Sequence, residues 1–284
     1  MNNIFNIKKY FRRFSSTTIF CLALIITDGF LTQNTAAQSL SLGGNGDNTP
    51  IEVSATDGIE WQQQNSVFFA RGNAKAVRGD IRIFADELRA YYRKNNTNQT
   101  EIWRLDAFGK VRIESPSETA YGDHAIYSAD QRVLVLDGNN VRLVSGKDTI
   151  SAEKQLEYWE DKNMAVARGN ASVVRENKKL WADVLVAHTR QDKKGKTAVY
   201  RVDAFDKVRI VTSEETATAD RGIYNVESGI ATLVGSVTLK RADNLLQGCR
   251  AEVDLNTGIS HLFGCGNSSA NRVSGTLVPT KKAK

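Results

Sequence analysis

The chain has 284 residues, 41% hydrophobic and 25% charged, a length and composition sufficient for a packed core. Its 38 Lys and Arg against 32 Asp and Glu give a formal net charge of +6. That excess is mild, the bases alternate with apolar residues, and no basic run is interleaved with aromatics, which argues against a nucleic-acid partner.

Residues 1–16 hold Lys8, Lys9, Arg12 and Arg13 and no acid, an apolar run follows from Thr17 to Ile26, and Thr35-Ala36-Ala37 offers small residues where a signal peptidase reads. This layout predicts a secretory signal peptide over 1–37, cleaved after Ala37. An uncleaved anchor would need about 20 apolar residues, and this run is shorter and soon meets Asp28. Thr18-Ile19-Phe20 lacks the small residue that would make Cys21 a lipoprotein site, and Arg12-Arg13 is a weak twin-arginine signal. Cleavage removes four bases and one acid, lowering the net charge from +6 to +3. Residues 38–50, including Gly43-Gly44-Asn45-Gly46, read as a flexible leader, and 267–284 as a polar, disordered tail.

Between them lie short alternating runs such as Lys110-Val-Arg-Ile113, Arg132-Val-Leu-Val-Leu136 and Gly235-Ser-Val-Thr-Leu-Lys240, punctuated by Gly72-Asn73, Gly138-Asn139 and Gly169-Asn170. The expectation is an all-β antiparallel domain. The segment also repeats itself. Ala70-Arg-Gly-Asn-Ala74 returns as Ala167-Arg-Gly-Asn-Ala171, and Asp106-Ala-Phe-Gly-Lys-Val-Arg-Ile113 as Asp203-Ala-Phe-Asp-Lys-Val-Arg-Ile210, both offset by 97 residues. A shorter unit places an acid before each apolar-aromatic step, at Asp86, Asp123, Glu153, Asp183 and Asp220, 30 to 37 residues apart. Units this small cannot bury their own apolar face, so they stack into one elongated domain. A 97-residue repeat is expected to hold about eight strands, or about four per sheet, adding ~19 Å at ~4.8 Å per strand.

The alternation changes parity. Ile81, Ile83 and Ala85 share a face, but the next set is Leu88, Ala90 and Tyr92; Leu180 and Ala182 give way to Leu185 and Ala187 in the same manner. A one-residue shift turns every side chain over, so a bulge or corner is predicted at each point, folding a sheet over on itself. The recurring acids sit at these strand ends, where turn and bulge hydrogen bonding accounts for them better than a metal site.

After cleavage two cysteines remain, Cys249 and Cys265. They flank the turn Asp254-Leu-Asn-Thr-Gly258, and a hairpin centred on Thr257 places them opposite each other, at a spacing a disulfide accepts. The loop closure would contribute about 3 kcal/mol; two buried free thiols are the other reading. His124, His188 and His261 fall in no catalytic signature, and the repeat does not keep them: His124 aligns with Arg221 and His188 with Tyr91. No catalytic residue, metal or cofactor is assigned and the protein is read as a non-enzyme, although a carboxylate pair on a β-solenoid would leave a similarly quiet sequence.

Pro50-Ile-Glu-Val53, Phe69-Ala-Arg-Gly-Asn-Ala74, Gly79-Asp-Ile-Arg-Ile-Phe-Ala-Asp86, Leu105-Asp-Ala-Phe-Gly-Lys110, Leu136-Asp-Gly-Asn139 and Leu245-Leu-Gln-Gly248 followed by Asp254-Leu-Asn-Thr-Gly258 form an ordered set that resembles LptA/OstA-type proteins. The resemblance implies an open β-jelly roll over 51–266 whose V-shaped interior holds the acyl chains of lipopolysaccharide. It implies a periplasmic carrier that passes this lipid from the inner to the outer membrane of a Gram-negative cell. The implied partners are an inner-membrane anchored LptC-like protein, an outer-membrane LptD-like translocon and further copies joined head to tail. A repeat-built structural or adhesive protein of the envelope is the alternative.

On this reading the lipid-facing candidates are Ile51, Val53, Ile81, Ile83, Leu88, Val111, Ile113, Ile126, Val133 and Val135, with Val208, Ile210 and Ile223 as repeats; an ordinary packed core would use the same positions. Lys110 and Arg104, with Lys207 and Arg201 as repeats, are candidates for lipid A phosphates, or else solvated strand charges. The free edges are expected at Ile51–Val53 and Ser260–Phe263.

Overall fold

The computed structural model describes residues 50–191, 197–266 and 272–278. The signal peptide and leader therefore lie outside the described residues, Pro50 excepted. Among those described, all regular structure is β: β1 (Glu52–Ser54), β2 (Gly58–Gln62), β3 (Val67–Arg78), β4 (Ile81–Lys94), β5 (Thr100–Glu114), β6 (Glu118–Ser128), β7 (Val133–Asp137), β8 (Val141–Ser145) and β9 (Asp148–Ala152) form the first half. The second half comprises β10 (Gln155–Trp159), β11 (Met164–Arg175), β12 (Lys178–Gln191), β13 (Thr197–Val211), β14 (Thr216–Asn225), β15 (Ile230–Arg241), β16 (Asn244–Asp254), β17 (Ser260–Phe263) and β18 (Ser274–Thr276).

The long strands bend. β3 pairs with β4 in one register as far as Arg71↔Glu87 and in another from Ala74↔Ala85, and shifts of this kind recur at each long strand through β16. Each long strand thus gives one half to each of two antiparallel sheets that meet along a corner. The first sheet runs β2 to β7, then β10 to β17. The second runs β1, β3 to β6, β8, β9, β11 to β16 and β18. This is the jelly roll expected, with its corners where the parity changes: between Phe84 and Glu87 in β4, and between Trp181 and Val184 in β12.

At each corner an extra pair of residues takes up the bend. Gly72 and Asn73 lie at φ 78° and 43°, and Gly169 and Asn170 at 82° and 41°. A side chain at Gly72 would strike the Asp57 carboxylate, so this position requires glycine. Of the recurring acids, Asp123 and Asp220 cap their corners as expected of turn hydrogen bonding, accepting from the Asn139 amide at 2.8 Å and the Ser236 amide at 3.1 Å, whereas Asp86 and Asp183 face Lys110 and Lys207.

The duplication is structural. β9 and β10 stand 97 residues after β1 and β2, and their backbones bond alike: Thr56 and Asp57 donate to Gly72 and Arg71, Glu153 and Lys154 to Gly169 and Arg168. The strand estimate needs correction. Long strands serve both sheets, so one repeat supplies six strand positions to each (β2 to β7 in the first sheet), or ~29 Å rather than ~19 Å.

The core fills the angle between the sheets. Opposed residues form rows across the strands, as in Ile59, Ala70, Leu88, Ala107, Ala125 and Leu136 of the first sheet and Val53, Ala76, Ile83, Ile113 and Ala120 of the second. Nearest the corner the inner residues are small (Ala74, Ala85, Val111, Val141), letting the sheets approach.

Cys249 and Cys265 form the disulfide, with Cα atoms 5.0 Å apart. The hairpin register differs by one residue from the expected one: Arg250 opposes Phe263 and Val253 opposes Ser260, so Cys265 lies one step beyond a direct partner of Cys249. The segment read as a disordered tail also differs, because Ser274–Thr276 adds β18 alongside Leu245–Gln247. Residues 267–271 and 279–284 lie outside the described residues.

Candidate lipid-binding interior

Away from the corner the sheets diverge, and side chains no longer fill the space between them. A cavity of about 280 Å³ lies there in the first repeat. Ile59, Phe68, Leu88, Leu105, Tyr127 and Leu134 line it from the first sheet, and Ile51, Val53, Ile83 and Ile113 from the second side. Ala90, between Phe68 and Leu105 in register, also borders it. The cavity reaches the edge formed by β1 and β2, each of which, among the described residues, pairs only with β3. There Val53 is 41% exposed, and Ile59 and Trp61 are also open to solvent.

Of the sequence candidates, Ile51, Val53, Ile83, Leu88 and Ile113 line this cavity, and Ile81 borders a smaller recess beside it. Val111 and Val208, each 1% exposed, are packed at the corner instead. Ile210 packs against the second-repeat core. Ile126, Val133, Val135 and Ile223 are corrected: they point outward. Tyr127 and Leu134 oppose each other inside, so Ile126↔Val135 and Ser128↔Val133 take the other face, and Ile223 follows as the repeat of Ile126.

Several lining residues escaped the sequence reading, notably Phe68, Leu105, Tyr127 and Leu134. A usable signal was present in Asp106-Ala-Phe108. Ala107 faces in, which sends Leu105 inward, while Phe108 turns out to stack on His124 at 4.6 Å.

The proposed phosphate ligands do not converge. The Arg104 guanidinium grips Asp106 through two bonds, 2.7 and 2.9 Å, on the outer face. Arg201 likewise bonds Asp203 at 2.6 Å, and His188 approaches the same carboxylate at 3.0 Å. Both arginines are thus committed to buried acids. Lys110, 88% exposed, and Lys207 sit at the corner beside Asp86 and Asp183, outside the cavity.

Two buried polar groups border the interior. Burial and the neighbouring Glu160 carboxylate push the Tyr127 phenol up to about 12. Burial also pushes the Glu118 carboxyl up to about 7, against a hydrogen bond with Ser145 that lowers it. Among the described residues no group of three or more metal-ligating side chains forms a cation site.

Comparison with known proteins finds one family twice along the chain. The family model described as LptA/(LptD N-terminal domain) LPS transport protein matches residues 52–158 and again 149–259. An uncharacterized protein of Rhizobium meliloti (strain 1021) is 27% identical over 130 residues, 44% of this chain and 69% of that protein. The crystal structure of LptH, the LptA homologous periplasmic component of the lipopolysaccharide transport device of Pseudomonas aeruginosa, aligns at 18% identity with a TM-score of 0.40, covering 46% of this chain and 95% of that one.

Proposed function

The chain belongs to the LptA/LptD N-terminal family of LPS transport proteins, and from that premise we propose that it is a periplasmic carrier that shelters lipopolysaccharide acyl chains between its two sheets and hands them on toward the outer membrane. The family is one of transport proteins rather than enzymes. The observation that carries the finer reading is the apolar cavity between the sheets, lined by Ile83, Leu88 and Leu105 and reaching an edge left unpaired among the described residues. Sheltering six methylenes of one acyl chain would contribute roughly 5 kcal/mol. A closed site for several whole chains would bind too tightly to release them, so an interior with an open edge suits transfer between equivalent sites.

An LptC-like donor upstream and an LptD-like acceptor downstream fit the two free ends, β1 and β2 at one and β17 and β18 at the other. Edge strands can accept a partner strand through main-chain hydrogen bonds. If any of the proposed basic residues meets lipid phosphates, the exposed Lys110 and Lys207 are the more accessible ones, and each would have to share its ammonium with the carboxylate it already faces, Asp86 at 3.6 Å and Asp183 at 2.9 Å.

Photo-crosslinking tests the interior directly. A probe at Ile83 or Leu105 should capture labelled lipopolysaccharide in cells, while probes at Ile126 and Val135, on the outer face, should not. Equal capture at both sets, or capture only outside, would discard the interior as the lipid site.

A further inference from the structure

The outward face of the second sheet is unlike the outward face of the first. On the first, arginines are matched by acids of the same face, as in Arg71 with Glu60 and Glu87, Arg89 with Glu87, and Arg168 with Glu157. On the second, the register turns Lys75, Arg82, Arg112 and Arg142 of the first repeat outward against only Glu52 and Glu114. Lys179, Arg209 and Lys240 extend the same face into the second repeat, and no acid is added there. Among the described residues only Arg112 of these cations has a carboxylate at ion-pair distance, that of Glu114.

Five of these outward residues form a row across neighbouring strands in which cations and rings alternate: Lys75, Phe84, Arg112, Tyr121 and Arg142. Arg112 stacks on Phe84 at 4.0 Å and Arg142 on Tyr121 at 4.1 Å; Lys75 lies 5.8 Å from the Phe84 centroid. Stacking holds each guanidinium plane; among the described residues the N–H edge of Arg142 meets no carboxylate, while that of Arg112 also reaches Glu114. The row is invisible along the chain because its members come from five strands.

Cations recur on every second strand, about 9.6 Å apart. That is far wider than the ~3.4 Å axial spacing of phosphates along one strand of a nucleic acid. It is close to the length of one disaccharide in an extended β-linked chain. A lipid surface would require positive charge but no such period. We propose that the outward face of the second sheet, centred on Lys75, Arg112 and Arg142, binds a linear acidic polysaccharide with one anionic group per disaccharide, lying across the strands. The corner acids Asp86 and Asp123 border this face and confine the chain to it. The site lies on the opposite side of the sheet from the lipid cavity and is independent of what that cavity holds.

The test is calorimetric titration of the full folded protein with hyaluronan oligosaccharides, which carry one carboxylate per disaccharide. Binding should weaken with added salt and fall about tenfold in the double variant Lys75→Gln, Arg142→Gln, as removal of two exposed charge contacts implies. Arg250→Gln, on the outer face of the first sheet, should leave it unchanged, and circular dichroism should show all variants folded. The proposal is overturned by absence of hyaluronan binding, by undiminished binding in the double variant, or by sugar-free phosphatidylglycerol vesicles competing equally well, which would make the face a membrane-docking surface.

Discussion

Filling the cavity should separate its role in binding from its role in folding. Ala90 borders the cavity between Phe68 and Leu105, so Ala90→Phe would project a ring into it. A cavity of 150 Å³ accepts a benzene, and on that scale one ring takes roughly half of the 280 Å³ present. Displacing about three of six sheltered methylenes removes roughly 2.4 kcal/mol, a loss of about fiftyfold in affinity. Stability should change little, because the apolar surface buried by the ring and the strain of fitting it are each on the order of 1–3 kcal/mol with opposite sign. Titration with labelled lipopolysaccharide gives the affinity, and urea unfolding the stability. A folded variant that binds as tightly as the parent would show that acyl chains lie elsewhere.

Glu118 should make the protein less stable as pH rises. Its folded pKa of about 7 exceeds the ordinary 4.5, so its burial is tolerated below 4.5 and costs progressively more up to 7, by about 3 kcal/mol in all; Glu118→Gln should flatten that part of a urea-midpoint profile, and an unchanged slope would exonerate the residue. Arg104→Gln leaves the Asp106 carboxylate, 3% exposed, without its partner, and should cost about 3 kcal/mol, whereas Arg201→Gln should cost less because His188 still approaches Asp203; equal losses by thermal melting would contradict this. Val53→Pro should abolish docking of an upstream partner while the fold survives, since β1 is a three-residue edge strand; a folded variant that docks normally in a pull-down with the upstream partner would remove edge pairing from the scheme.

The fold was largely legible because its signals were local. Parity changes marked the corners, the Gly-Asn pairs marked the bends, and the offset of 97 residues carried through to matching strands and backbone bonds. Facing was less legible. Val133-Leu-Val-Leu136 is apolar at every position, so it carries no alternation, and the outer face protects Val133 (5% exposed) almost as fully as the inner face protects Leu134 (3%). Ile126 and Tyr127 posed the same problem: the aromatic went in and the aliphatic went out. The charges at Arg104 and Arg201 misled for another reason. Each has its acid two residues away on the same strand face, and a strand places such pairs side by side. The row of cations and rings on the second sheet could not be read at all before the register was known.

The junction between the repeats bears on the two ends. β10 and β9, the repeats of β2 and β1, are covered by β7 and β8 in continuous antiparallel ladders. Across that junction the inner row runs without interruption from Leu136 through Leu156 to Ala167. Among the described residues no strand takes the corresponding place beside β1 and β2, and it is there that Ile59 and Val53, members of the same inner rows, stand 55% and 41% exposed. A partner occupying that place as β7 and β8 occupy theirs would bury both residues and extend the apolar interior across the contact. An acyl chain could then move from one protein to the next along a lined path, without paying the full cost of entering water at the boundary.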